Sequence, residues 1–187
     1  MPRARATKLD PERLWKYALR LLGQRAYSAG ELRTKLGLRA ESRETADQVI
    51  AKLKEYDLLD DRKFAESFAV SRRENDQLGR LRVVRELRAR RVSAQVAESA
   101  VRRAFSEVDE QELAAAHLTR KLRGKNLAEY LSDERHLANA FARLQRAGFS
   151  TSASIAVLKR FASRAEELEN LPEALSADHD GDGEATE

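Results

Sequence analysis

Proline occurs only at positions 2, 11 and 172, so the span from Pro11 to Pro172 is free of the residue that most strongly interrupts a helix. Within it the apolar residues do not alternate as a strand would require; they recur at helical spacing. Leu14, Ala18, Leu21 and Leu22 make one set, Val49, Ile50 and Leu53 another, and Leu137, Ala140, Phe141 and Leu144 a third. Each set lays an apolar stripe along one helix face, where it can pack on a neighbour. Start and stop signals divide the span. Asp10-Pro11 reads as an N-cap followed by proline at the first helical position. Ser28-Ala29-Gly30-Glu31 and Asp109-Glu110-Gln111-Glu112 have the capping-box form. Ser93 and Ser150 are further N-caps, and Gly79, Gly124 and Gly148 mark breaks. The pattern predicts nine helices, over 11–25, 28–38, 43–56, 61–75, 80–90, 94–105, 110–123, 133–146 and 151–168.

The nine fall into three groups of three, and a weak internal repeat supports the grouping. Leu87-Arg88-Ala89-Arg90-Arg91-Val92-Ser93 matches Leu144-Gln145-Arg146-Ala147-Gly148-Phe149-Ser150: a leucine closes the stripe, a turn follows, then an apolar residue, then a serine cap. A looser version surrounds Leu32, Leu36 and Ser42. Three helices in about 50 residues bury little alone, and stacking such units gives a shared core. The expected fold is all-α, three tandem three-helix (helix-turn-helix-like) repeats in an elongated array. The repeats span 10–58, 59–107 and 108–168, between a flexible basic N-terminus (1–9) and a disordered acidic tail (169–187). One irregular helical domain is the other reading of the same pattern.

Charge is unevenly placed. Residues 166–187 hold nine acids and no lysine or arginine, so the remainder carries a net +13 beneath an overall +4. A basic body seeks polyanions. Of its 35 cations, 26 are arginine, whose rigid fork of donors suits phosphate and carboxylate. Ten arginines lie between Arg72 and Arg103, against four acids. On the helix over 80–90, Val83, Val84 and Leu87 define the buried stripe; Arg82 and Arg85 point away from it and Arg88 flanks it. The contact candidates are Arg72, Arg73, Arg80, Arg82, Arg85, Arg88, Arg90 and Arg91. A phosphate backbone or an acidic protein face would satisfy them; a solvated face with local ion pairs of about 0–1 kcal/mol each is the bland alternative. The acidic tail either folds back on the basic body, weakening non-specific DNA binding, or simply aids solubility.

No phosphate-binding Gly-rich loop is present: Gly124-Lys125 is followed by Asn126 and lacks the upstream glycine. His117, His136 and His179 show no metal-ligand spacing. His117 is expected to pack or lie partly exposed, and His179, between Asp178 and Asp180, to be solvated. The absence of cysteine excludes disulfides and thiolate metal sites. No leader peptide is expected from Met1-Pro2-Arg3-Ala4-Arg5-Ala6, nor a membrane span. The expectation is a cytoplasmic monomer that is not an enzyme and needs no metal or cofactor.

The run Leu58-Leu59-Asp60-Asp61-Arg62-Lys63-Phe64-Ala65-Glu66-Ser67-Phe68 resembles the "LLDD-x-x-FA-x-x-F" run of the RecX family of recombinase regulators. Upstream, Tyr17-Ala18-Leu19-Arg20-Leu21-Leu22, Arg25-Ala26-Tyr27-Ser28 and Glu31-Leu32-Arg33-Thr34-Lys35-Leu36 resemble that family's first-repeat pattern, and downstream Gly79-Arg80-Leu81-Arg82 and Glu86-Leu87 resemble its Gly-led second helix. The likeness covers residue 14 to about 105 well and the third group weakly. Leu81 stands where the family often has proline, and Arg91 where it often has glycine. The resemblance implies tandem three-helix repeats that bind the RecA recombinase on single-stranded DNA, lie in the filament groove, inhibit ATP hydrolysis and strand exchange, and alter filament assembly, so regulating DNA repair. The motif residues Leu59, Asp60, Asp61, Phe64, Ala65 and Phe68 read as mainly structural: either aspartate can cap the following helix, and the phenylalanines with Ala65 make a seam between the first two repeats. A direct DNA-binding helix-turn-helix protein is the alternative, since an arginine-bearing second helix suits that design.

Overall fold

The computed structural model describes residues 8–162. The start of the basic N-terminus, the acidic tail and His179 lie outside the described residues. These form ten helices and no strand, and the chain divides into two compact units, Met1–Val108 and Asp109–Glu187.

The first unit holds two helical triplets. In one, α1 (Pro11–Gln24), α2 (Ala29–Gly37) and α3 (Arg43–Glu55) close around Leu14, Leu32, Leu36, Ile50 and Leu53, all fully buried. Each start is fixed as the sequence suggests. Asp10 accepts from Arg13 N at 2.9 Å, with Pro11 opening α1. Ser28 and Glu31 complete a reciprocal capping box on α2, and Ser42 caps α3. In the other, α4 (Asp61–Glu74), α5 (Arg80–Ala89) and α6 (Ala94–Ala104) surround Val83, Leu87 and Phe105. The buried face of α4 is Ala65 and Ala69, that of α6 Ala97, Ala100, Val101 and Ala104. Such small side chains let these two helices pack extensively along their length.

The second unit contains α7 (Glu110–Lys121), α8 (Leu127–Tyr130), α9 (Glu134–Ala147) and α10 (Thr151–Phe161), around Leu118, Leu131, Leu144, Phe149 and Leu158. His117 is buried edge-on against Phe149, ring centroids 5.7 Å apart. Glu110 accepts from both the amide and the hydroxyl of Ser150, at 2.8 and 2.9 Å, tying α7 to the cap of α10. Asp109 caps α7 as expected, but Glu112 turns outward to Arg160 at 2.5 Å.

The internal repeat is a repeat of backbone geometry. Val92 N donates to Leu87 O at 3.1 Å and Phe149 N to Leu144 O at 3.2 Å, the wide bond of a Schellman ending, which needs a left-handed residue just before the donor. Gly148 supplies it in the second unit (φ 89°), and Arg91 in the first (φ 61°). The chain thus holds a conformation that disfavours a side chain at the position where glycine is expected. α2 ends differently, on Leu38 in the right-handed region, which is why its match is loose.

Two elements depart from the sequence expectation. One is α8, whose four residues are too short to show a period. The other is the last helix, drawn to 168, which closes at Phe161 where Ala162 turns extended.

Candidate nucleic-acid interface

α5 turns Val83 and Leu87 inward and leaves Leu81, Arg82, Arg85 and Arg88 exposed. Arg85 and Arg88, one turn apart, have no ion-pair or hydrogen-bond partner among the described residues, and neither has the Arg91 guanidinium in the turn that follows. These three form the outward part of the arginine cluster.

The other five candidates are engaged within the fold. Glu86 bridges two of them, meeting Arg72 Nε at 3.0 Å and Arg82 Nε at 2.8 Å. Arg72 also pairs with Asp76 at 2.6 Å, and this bond, with Glu86, holds its guanidinium above the ordinary pKa. Arg82 keeps about half of its side chain exposed beside Arg85. Arg73 donates to the carbonyl of Ala104, and Arg80 to that of Phe105 at 2.8 Å. Both cations therefore satisfy the last carbonyls of α6, where a helix end carries partial negative charge. Arg90 pairs with Glu31 at 3.4 Å and lies over the Phe68 and Phe64 rings at 5.0 and 5.9 Å.

Arg90 belongs to a joint between the two triplets of the first unit. The first turn of α2 abuts the α5–α6 turn. Ser28, fully buried, donates its hydroxyl to the Arg90 carbonyl. Gly30 sits so close to Arg91 that a Cβ there would overlap the Arg91 Cβ and lie 2.6 Å from its carbonyl oxygen. Adjacent aspartates divide the work. Asp60 caps its own helix, accepting from Arg62 N at 2.8 Å and Lys63 N at 3.2 Å. Asp61 reaches across the joint to Ala29 N at 2.8 Å. The Lys63 and Arg62 amides hold Asp60 below the usual carboxylate pKa. Leu59 and Ala65 are buried. Phe64 and Phe68 stack with centroids 6.0 Å apart and, only half-buried, line a groove of about 550 Å³ with Leu22, Tyr27 and Leu58.

Two family models match this unit: the first three-helix domain of RecX over residues 15–53 and the second over 60–101. A regulatory protein RecX of Trichlorobacter lovleyi is 31% identical over 140 residues, covering 75% of this chain and 90% of that protein. The chain belongs to the RecX family. A regulatory protein RecX of Deinococcus radiodurans is 34% identical, over 81% of this chain and 71% of that protein. The crystal structure of RecX from Lactobacillus salivarius shares the fold with a TM-score of 0.67 at 18% identity, covering 81% of this chain and 96% of that one. The chain is thus a RecX-family regulatory protein, all-helical, with two three-helix domains in tandem.

Within this RecX-family chain the joint residues Ser28, Gly30 and Glu31 were legible only as a capping box. The signal for more was Gly30, a glycine inside a first helical turn, where no change of chain direction calls for one and close approach of another backbone does.

Proposed function

We propose that this protein binds a filament of a RecA-type recombinase on single-stranded DNA and restrains it, lowering ATP hydrolysis, strand exchange and filament growth. The observation that carries the reading is the exposed arginine face of α5, with Arg85 and Arg88 a turn apart and Arg91 beyond them, in a chain of the RecX family. Unpaired guanidiniums bind phosphate oxygens bidentately, and they equally suit an acidic protein face; a nucleoprotein filament offers both. Arg72, Arg73, Arg80 and Arg90 contribute by shaping and supporting the second triplet, and Arg82 adds charge at the edge of the face. Restraint requires tighter binding to one filament state than to another.

The test is the recombinase's DNA-dependent ATPase, titrated with the full chain and with Arg85→Ala/Arg88→Ala. Inhibition below one regulator per recombinase, lost in a variant with unchanged helicity, supports the reading. Undiminished ATPase at every dose of the intact protein refutes it. A sequence-selective shift of duplex DNA by the protein alone would favour the helix-turn-helix alternative.

A further inference from the structure

The α4–α6 seam carries a second cationic feature. A cleft of about 550 Å³ is lined by Arg62, Gln95, Ser99, Arg102 and Arg103, with Val96 and Ala100 at its base. Arg62 projects from the first turn of α4; Gln95, Ser99 and Arg102 fall on one stripe of α6. Three arginines line the cleft, and among the described residues no carboxylate or aromatic residue does. Beside the cleft, Glu66 pairs with Arg103 at 2.8 Å, and Arg103 also reaches Ser99 at 3.5 Å. The guanidiniums of Arg62 and Arg102 make no hydrogen bond or ion pair among the described residues, though Arg62 lies within electrostatic reach of Asp60, and both residues are exposed. Like charges gathered in a concave site focus positive potential and draw counter-anions.

We infer that this cleft binds a phosphodiester backbone, at a site separate from the α5 face. The donor set selects the ligand. Two unpaired forks, a hydroxyl and a carboxamide are the groups that hold phosphate oxygens, and the lack of any ring to stack on removes base recognition. Binding there is indifferent to sequence. Position adds a consequence. In a three-helix bundle the groove between two helices faces away from the third, and α5 buries Val83 and Leu87 toward α4 and α6. The cleft and the exposed stripe of α5 therefore lie on opposite sides of one triplet. One molecule can hold two nucleic-acid segments at once; this last step rests on the proposed role of α5, the cleft itself does not.

The experiment measures binding of a short oligothymidylate to the full chain by fluorescence anisotropy across a salt series, with stoichiometry from titration at high concentration. Arg62→Ala/Arg102→Ala should lower the magnitude of the log–log salt slope by about 1.4, so that a roughly fourfold rise in salt costs the wild type about sevenfold more affinity than the variant. Bound oligonucleotide should fall by one per chain. Arg62→Lys/Arg102→Lys should keep most of the slope. An unchanged slope and stoichiometry in the alanine pair overturns the inference, as does a variant that loses binding to polyglutamate but not to DNA. Should the alanine pair fail to fold, Arg62→Gln/Arg102→Gln gives the same comparison. If the intact protein leaves the recombinase ATPase undiminished while the cleft variant behaves as described, the filament reading fails and the cleft stands; if Arg85→Ala/Arg88→Ala merely retains inhibition, the α5 face is not the contact.

Discussion

Gly30→Ala should destabilise the first unit although alanine is the better helix former, and Gly23→Ala measures the opposing effect. Both glycines lie in helices. A Cβ at Gly23 meets nothing within 4 Å, so that substitution gains only the lower unfolded-state entropy, about 0.5–1 kcal/mol. The same Cβ at Gly30 strikes Arg91, side chain and backbone together, and the backbone cannot swing aside as a flexible side chain would. Overpacking of this kind costs about 1–3 kcal/mol. If α2 lifts instead, the charge-assisted bond from Ala29 N to Asp61 is lost, worth about 1.5–3 kcal/mol. Less the helix-propensity gain of about 0.5–1 kcal/mol, the expected net is a loss of about 0.5–2 kcal/mol. At about 4 °C per kcal/mol for a unit of this size, Tm falls by about 2–8 °C. The chain has one tryptophan, Trp15, in α1 and edge-on to Tyr56 at 5.9 Å, so its fluorescence follows the first unit alone through urea and thermal unfolding. Gly30→Ala/Arg91→Gly should recover part of the loss, because it removes the Cβ contact and leaves the carbonyl at 2.6 Å. A Gly30→Ala protein as stable as Gly23→Ala would refute the close-approach argument.

Arg91→Gly alone should raise stability by about 1 kcal/mol, since it relieves a left-handed residue, and the urea midpoint reports it. Asp60→Ala should cost about 1 kcal/mol at neutral pH by removing the α4 cap. Because the folded-state pKa of Asp60 is depressed, its stabilisation is present above the unfolded value of about 4 and vanishes as pH falls through the folded one. Wild type and variant should therefore converge in acid, as urea midpoints over a pH series will show. Glu110→Ala should loosen the second unit by about 1.5–3 kcal/mol through the paired bonds to Ser150, speeding amide exchange in α7 and α10 while Trp15 fluorescence is unaffected.

Helix positions were legible because caps and stripes are local: Asp10, Ser28, Ser93, Asp109 and Ser150 each open the helix expected of them. The division of the arginines was not. Arg73 and Arg80 are engaged by carbonyls 31 and 25 residues away, and Arg90 by a carboxylate 59 residues away. No periodicity on their own helices reveals such partners. Helical phase placed Arg82 and Arg85 away from the buried stripe and Arg88 at its flank, and all three are exposed. Arg62 and Arg102 stand on different helices, 40 positions apart, so clustering along the chain could not join them. The aspartate pair shows the same limit: either could cap α4 by type and position, and only the packing of α2 sends Asp61 elsewhere.

The contact of α2 with the α5–α6 turn also governs how the molecule can be dissected. Truncation after the first triplet would take away Asp61 and the Arg90 carbonyl, the acceptors for the Ala29 amide and the Ser28 hydroxyl, and would bare the groove that Phe64 and Phe68 wall. A recombinant fragment meant to preserve the amino-terminal half must therefore run through Val108, where the chain passes from one compact unit to the next.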